Sequence, residues 1–518
     1  MRKYSSLLVI LLISVFLFSS VTVRGTKAAD QRALKIALMA EPSRLNPITR
    51  EDTEAGFILS LICDPLVELD KEGSYTTEGS IIKDYEISNG GKVYTFKIKK
   101  GITFHNGEKL SAEDVKFTYE AFMDKDLASP HREYYADIKQ LELVDDYTLK
   151  VILKKRNVTF LTTARLRGHV VPKDYVEKVG WQKFEQKPVG AGPYKFERHD
   201  PGQRIVLKSY EDYWGEKANI ETVEYRFYPE VSSAVMALQG GEIDFIAELP
   251  ASEYTRLKKQ NSSSLKFGSY KKFEDHRIVF NKREDSIFSD PKLRKAVAYA
   301  IDRQELIELT RGEMAVPAVG RIPNFHPASA NDARAYEKDL EKAKALMAEA
   351  GYPDGFETKI FAPSGYRERV LEVQQIQQQL KKINIDVEVV TLEWGTYLDV
   401  TGRGDAPMFR ERWASTAPSP FSFVENWHSQ SSWNPIFGTY ENEEVDELID
   451  QIKRTTEQKK RWDLYQKAQR IAMEEVPCYP LYWPINGLAY NSEINIPDDL
   501  WNVFRRPIYF VDKWSFAE

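Results

Sequence analysis

Tyr94-Thr-Phe-Lys-Ile-Lys-Lys-Gly-Ile-Thr-Phe-His-Asn-Gly107, running on into Leu110-Ser-Ala-Glu-Asp-Val115, sets a strand, a turn and a helix start in immediate succession. Val93–Ile98 alternates, with Tyr94, Phe96 and Ile98 on one face, which is the period of a half-buried strand. Gly101 ends it, and Asn106-Gly107 has the chemistry of a tight turn. Ser111 is predicted to cap the next helix, with Asp114 three residues on as the capping-box acid. Val115, Tyr119 and Phe122 then give that helix an apolar stripe. The block predicts a mixed α/β fold.

The flanking chain extends the pattern. Leu34–Leu38 reads as a first strand, broken by Glu41-Pro42-Ser43 and Asn46-Pro47. Turns and strands follow in residues 188–228, where the glycines of Pro188-Val-Gly-Ala-Gly-Pro193 are expected to let the chain turn sharply. Helices dominate later. Asp290-Pro291 starts one with Leu293, Val297 and Ile301 on its core face, and Asp302 with Glu305 reads as a second capping box. Leu340, Ala343, Met347 and Ala350 mark a helix that Gly351 and Pro353 end, and Val445, Leu448, Ile449 and Ile452 mark another. Ile385–Val390 is a strand candidate, and Asn261–Ser264 a surface loop.

A single core stops growing at about 250–300 residues, so a chain of 518 residues is expected to fold as at least two lobes. Arg2 and Lys3, the apolar run Leu7–Phe18 and the small residues Gly25, Ala28 and Ala29 have the layout of a secretory signal peptide, assigned to residues 1–29; an uncleaved anchor is the alternative. The run holds no cysteine to acylate, so a protein free in the periplasm is expected. Loss of residues 1–29 removes four cations and no acid, which takes the net charge from −6 to −10. Such a surface is a poor partner for nucleic acid or anionic lipid. Cys63 and Cys478 either pair in an oxidising compartment or stay as two buried thiols.

Catalysis needs a positioned nucleophile, a tuned acid–base pair, a metal or a cofactor cradle. No Gly-x-Ser-x-Gly elbow, phosphate loop or His-Glu-x-x-His is present, and no two of the seven histidines stand at helical i, i+4 spacing. No catalytic residue, metal site or cofactor is therefore assigned, and an enzyme is not expected. A dispersed triad would escape this reading.

Taken in order, these segments resemble the bacterial extracellular solute-binding proteins of family 5, the periplasmic peptide, oligopeptide and nickel binders of ABC importers. The resemblance rests on the 94–115 block, Glu41-Pro-Ser-Arg-Leu-Asn-Pro47, Pro188-Val-Gly-Ala-Gly-Pro-Tyr-Lys-Phe196, Tyr213-Trp-Gly215 and Gly241-Glu-Ile-Asp244. Leu293-Arg-Lys-Ala-Val-Ala-Tyr-Ala-Ile-Asp-Arg303 and Ala343-Lys-Ala-Leu-Met-Ala-Glu-Ala-Gly-Tyr-Pro-Asp-Gly355 complete it. It implies a periplasmic-binding-protein-like α/β fold of type II, cluster C-like, with two main lobes and an inserted third domain. Domain I would comprise residues 30–72, 188–284 and 487–518, domain II residues 73–187, and domain III residues 285–486. Domains I and III would close around a ligand on hinge strands. The implied partners are permease subunits, and a monomer is expected.

The resemblance also implies ligand contacts. Glu393-Trp394 and Trp413 match the family's ligand-facing aromatics, with core packing as the alternative for each indole. Arg410 and Arg412 would share one strand face near Trp413, holding a carboxylate or pointing to solvent. Peptide binders of the family place an acid three residues after that Trp, to pair with the ligand's ammonium group; this chain has Thr416. Glu51, which matches a cleft acid of some relatives, or Asp52 beside it, could serve in its place, with a solvated loop acid as the alternative for each. The implied ligand is an oligopeptide or another small polar solute. An oligosaccharide, a metal chelate, or a hydrolase with a dispersed site are the alternatives.

Overall fold

The computed structural model describes residues 32–71, 73–158, 160–167, 169–414, 419–431, 434, 438–501 and 506–517. The leader assigned to residues 1–29 and Thr416 lie outside the described residues.

The strands that position the cleft are β1 (Leu34–Leu38), the short hairpin β2 (Glu68–Leu69) and β3 (Tyr75–Thr76), and β4 (Ile82–Ser88), β5 (Val93–Ile98), β6 (Ile138–Asp145) and β7 (Thr148–Leu153). They continue with β8 (Tyr194–Asp200), β9 (Arg204–Ser209), β10 (Thr222–Phe227), β11 (Phe245–Leu249), β12 (Leu265–Lys271) and β13 (Glu274–Phe280). The last are β14 (Ala315–Pro317), β15 (Phe356–Pro363), β16 (Ile385–Leu392), β17 (Met408–Ala414) and β18 (Cys478–Asn491).

β4–β7 form a separate antiparallel sheet in the order β4-β5-β7-β6. The capped helix read from the sequence, Ala112–Met123, packs on it, with Tyr94, Phe96, Val115, Tyr119 and Phe122 fully buried in one cluster. Each such side chain contributes about 1.5–3 kcal/mol by leaving water. Both bonds of the Ser111–Asp114 capping box are present.

The main sheet has two halves. In the first lobe β1 runs parallel to both β10 and β11, and β9 and β8 follow outward. In the second, β15 runs parallel to β16 and β17, and β17 pairs antiparallel with β13. β18 joins them: its Cys478–Tyr482 end pairs with β13, and its Ile485–Asn491 end with β12. The lobes thus share β18 and the β12–β13 chain, with Phe273 between the last two.

Three local expectations are corrected. Asp302 accepts the Glu305 N–H at 3.0 Å, but Glu305 does not return the bond; Gln379 takes the Asp302 N–H at 2.9 Å and donates to Glu305 at 3.1 Å. Ile301 is buried just past the helix Pro291–Ala300 rather than inside it. Gly190 and Gly192 do not adopt positive φ. They are needed because a Cβ at either would collide with the backbone of Ile62, whose carbonyl accepts the Gly192 N–H at 2.8 Å. Cys63 and Cys478 are buried free thiols.

Candidate ligand cleft

The parallel strands β15, β16 and β17 end side by side, and ligands of open α/β sheets bind at such carboxyl ends. Tyr366 follows β15, Trp394 follows β16, and Trp413 stands one residue before the end of β17. Glu393 caps the helix Trp394–Arg403 by accepting the Gly395 N–H at 2.8 Å, which fixes where Trp394 emerges. Trp394 is 40% exposed, stacks on Tyr397 at 5.8 Å and meets the edge of Tyr366 at 5.7 Å.

Trp413 is half-buried. It packs with Phe409 and Tyr397 on its own lobe, and against a cluster of Leu69, Phe273, Phe423 and Trp483. Leu69 and Tyr75 bring the β2–β3 hairpin into that cluster, so the indole stands where the lobes meet. Two hydrogen bonds reinforce the contact: Ser74 Oγ to Gln458 Oε1 at 3.3 Å, and Gln458 Nε2 to the Gly73 carbonyl at 3.4 Å.

The two arginines fare differently. Arg410 is fully buried, with Nε 2.5 Å from Glu372 Oε2, Nη2 2.5 Å from His276 Nδ1 and 3.3 Å from the Tyr482 hydroxyl. Its charge is committed inside the lobe, so the expected ligand-facing guanidinium is instead a support of the wall. Arg412, two residues on, is exposed and reaches Glu274 at 3.3 Å. Burial, and then the Arg410 charge, push His276 down to about 4. Against the penalty of burial, the His276 hydrogen bond and Arg412 hold Glu274 well below the usual carboxylate range.

On the first lobe, a cavity of about 710 Å³ is walled by Glu51, Asp64, Tyr213, Trp214, Phe273 and Asp512, among others. Among the described residues, eight carboxylates line it against four Arg or Lys side chains. Glu51 is exposed on this wall, whereas Asp52 is occupied as a helix cap by the Ala55 N–H at 2.6 Å and by Ser43. Asp64 accepts from Trp214 Nε1 at 2.7 Å and the Tyr213 hydroxyl at 3.1 Å, and burial pushes its carboxyl up to about 8. Neither Trp394 nor Trp413 is among the described residues of this wall; Phe273 connects it to the Trp413 cluster. The structure therefore places Glu51 on the first-lobe cavity, gathers Trp394 and Trp413 around Tyr397, leaves Arg412 exposed on Glu274, and keeps Arg410 inside the second lobe.

Sequence reasoning missed Arg369, in the first turn of the helix Arg367–Leu380. Its guanidinium carbon lies 4.2 Å from the Tyr366 ring centre and 5.9 Å from that of Trp394. Cations in a helix's first turn oppose its dipole, and that was the readable signal. The Asp64–Tyr213–Trp214 cluster was also missed as chemistry, although Tyr213-Trp-Gly215 stood out as a motif.

Two lobes that share crossing strands and enclose a polar cleft define a solute-binding protein of the type II periplasmic-binding fold. The chain belongs to the bacterial extracellular solute-binding proteins, family 5 Middle, matched over residues 76–435. It is 26% identical over 557 aligned positions to the oligopeptide-binding protein AppA of Bacillus subtilis (strain 168), covering 100% of both chains. It is 28% identical to the glutathione-binding protein GsiB of Escherichia coli (strain K12), over 86% of this chain and 88% of that one. Among solved structures, DppA of Helicobacter pylori, an ABC transporter-associated periplasmic binding protein in complex with peptide STSA, superposes with a TM-score of 0.73. It is 28% identical and covers 94% of this chain and 98% of its own. Among the described residues no helix is long and apolar enough to cross a membrane.

Proposed function

We propose that this protein captures a short peptide or peptide-like solute between its lobes and delivers it, unchanged, to the permease of an ABC importer. The observation that carries the reading is the acid-rich cavity of about 710 Å³ on the first lobe, joined through Phe273 to the aromatic cluster around Trp413. An acid-rich wall on the first lobe suits an ammonium group, and the aromatic and arginine-bearing wall of the second suits apolar side chains and carboxylates. Relatives that bind oligopeptides and glutathione support the same class of solute. Closure would exclude water and strengthen these polar contacts.

Within this proposal Glu51, Trp394, Arg412, Trp413 and Thr416 meet the ligand, and Arg410 holds the wall behind them. The proposal includes cleavage of a leader at residues 1–29, release into the periplasm as a monomer, and the three-domain division given above. Calorimetric titration with di- to pentapeptides, each with free and acetylated amino termini, tests the reading, alongside mass analysis for unaltered peptide after incubation. Binding of several peptides without turnover is expected; no binding across the panel, or hydrolysis abolished by one point substitution, would refute it.

A further inference from the structure

We infer that the β2–β3 hairpin is a clasp, fastened to the second lobe through Gln458, that holds the chamber shut and sets how fast a captured solute leaves. This rests on the reading of the cleft as the place of solute capture and adds to it the device that governs release.

The hairpin moves with the first lobe. Glu68 pairs with Arg165 at 2.6 Å, and the Tyr75 hydroxyl lies 2.5 Å from Thr162 Oγ1, both partners standing on the helix Phe160–Arg167. That helix packs through Phe160, Leu161 and Ala164 into the core of the β4–β7 sheet. The loop after β5 is bonded in turn to the first lobe, by the His105 N–H to the Gly190 carbonyl at 2.9 Å and by Thr103 Oγ1 to the Tyr210 hydroxyl at 3.2 Å. Gln458 moves with the second lobe. It begins the helix Gln458–Glu475, whose Tyr465 and Ala472 pack with Val445 and Ile449 and whose Gln469 accepts the Ile322 N–H at 2.7 Å. Among the described residues β2 and β3 pair only with each other, so the hairpin meets this helix without a shared strand.

The two surfaces fit closely. Leu69, Tyr75 and Thr162 on one side and Gln458, Trp462 and Tyr465 on the other enclose a gap of about 40 Å³, room for about one or two waters, beside a chamber of about 710 Å³. The polar part of the contact is slight. Gln458 Nε2 donates to the Gly73 carbonyl at 3.4 Å, and its Oε1 accepts from Ser74 Oγ at 3.3 Å. Both bonds are long and therefore weak. A well-fitted face closed by one amide can part and re-form while each side keeps its own core.

Trp413 couples the clasp to the solute. The indole packs against the cluster that holds Leu69 and Phe423, and in the proposed capture it also meets the ligand. A solute that orders Trp413 favours the closed clasp, and the closed clasp favours the solute by the same factor. The clasp forms after entry, so its loss falls on dissociation rather than association.

The test follows trialanine and glutathione by stopped-flow tryptophan fluorescence in wild type, Q458A, S74A and the double variant. Q458A is expected to release the probe at least about threefold faster and to associate within about twofold of wild type. S74A should also release faster, and the double variant no faster than Q458A, because the Ser74 hydroxyl acts through Gln458. Unchanged dissociation in Q458A, or effects of the two substitutions that simply add, overturns the inference while leaving capture intact. If wild type binds neither probe, peptide capture fails, and the ligand-free protein decides on the clasp. There S74C/Q458C, with Cys63 and Cys478 buried, is expected to crosslink on mild oxidation and then to slow amide exchange in the hairpin. No crosslink, or a crosslink that leaves exchange unchanged, overturns the inference.

Discussion

Nη2 of Arg410 stands 2.5 Å from Nδ1 of His276. A guanidinium cannot accept a hydrogen bond, so Nδ1 is the acceptor and the imidazole proton sits on Nε2, which donates to Glu274 Oε1 at 2.7 Å. The wall of the second lobe is thus one chain, Glu372–Arg410–His276–Glu274–Arg412, buried except at Arg412 and with a neutral histidine as its middle link.

Arg410→Met is expected to destabilise the protein by about 3–5 kcal/mol, because it leaves Glu372 charged and buried without its partner. Arg412→Ala, at the exposed end of the same chain, should cost less than about 1 kcal/mol. Urea denaturation of both variants beside wild type separates the two cases. Equal losses would contradict the division into a supporting and a solvent-facing arginine.

His276 gives a pH dependence of definite sign. Its folded pKa, about 4, is below the ordinary 6.5, chiefly through burial and secondly through Arg410. Between those values the unfolded chain binds the extra proton, so stability falls as pH drops from 6.5 to 4 and levels off below. His105 and His326, pushed down by burial to about 4 and about 3, add slope of the same sign. His276→Asn keeps an acceptor for Arg410 and should remove one proton's share of that slope, measured as urea midpoints between pH 4 and 7.

Asp64 acts in the opposite sense. With a folded pKa of about 8, raised by burial from 3.8, its carboxyl keeps a proton in the native state that the unfolded chain has already lost. Stability from this group therefore declines as pH rises from 3.8 to 8 and is flat above. Asp64→Asn should be more stable than wild type at pH 8, and the difference should shrink towards pH 4. Thermal melts across that range check it. A difference that grows on acidification would reverse the assignment.

Thr416→Asp is expected to strengthen binding of simple peptides with free amino termini and leave their acetylated forms unchanged. A threonine side chain carries a hydroxyl but no charge, and an aspartate there would supply one. Calorimetry on paired free and acetylated tripeptides measures the effect. Tight wild-type binding that requires the free terminus would shift the role to Glu51.

The 94–115 block was legible because strand alternation, turn and capping box are all local, and each survives in the structure. The helix starting at Asp290-Pro291 was legible for the same reason. Arg410 and Arg412 share a strand face as their spacing implies, yet one is interior and one is surface. That difference is made by Glu372, 38 residues upstream, which no local pattern announces. Gly190 and Gly192 were read as turn glycines, whereas the cause is the Ile62 backbone pressed against them, a contact between distant segments. Arg369 escaped because the fold alone brings Trp394, 25 residues on, beside it and Tyr366.

β18 is fastened at one end to β13 and at the other to β12. Both faces of β18 are buried along nearly its whole length, so slipping either pairing by one residue would exchange the side chains packed on its two sides, and neither end is free to slide. Any relative rotation of the lobes would have to pass through the span between, where Trp483 and Pro484 are themselves paired with Val316 and Ala315 of β14. The strand would then act as a torsion bar, wound by such a rotation without lengthening or losing its anchorages. Amide protection along β18 would stay high at both ends throughout the cycle, and the elastic return of that bar would set the resting gape of the empty protein.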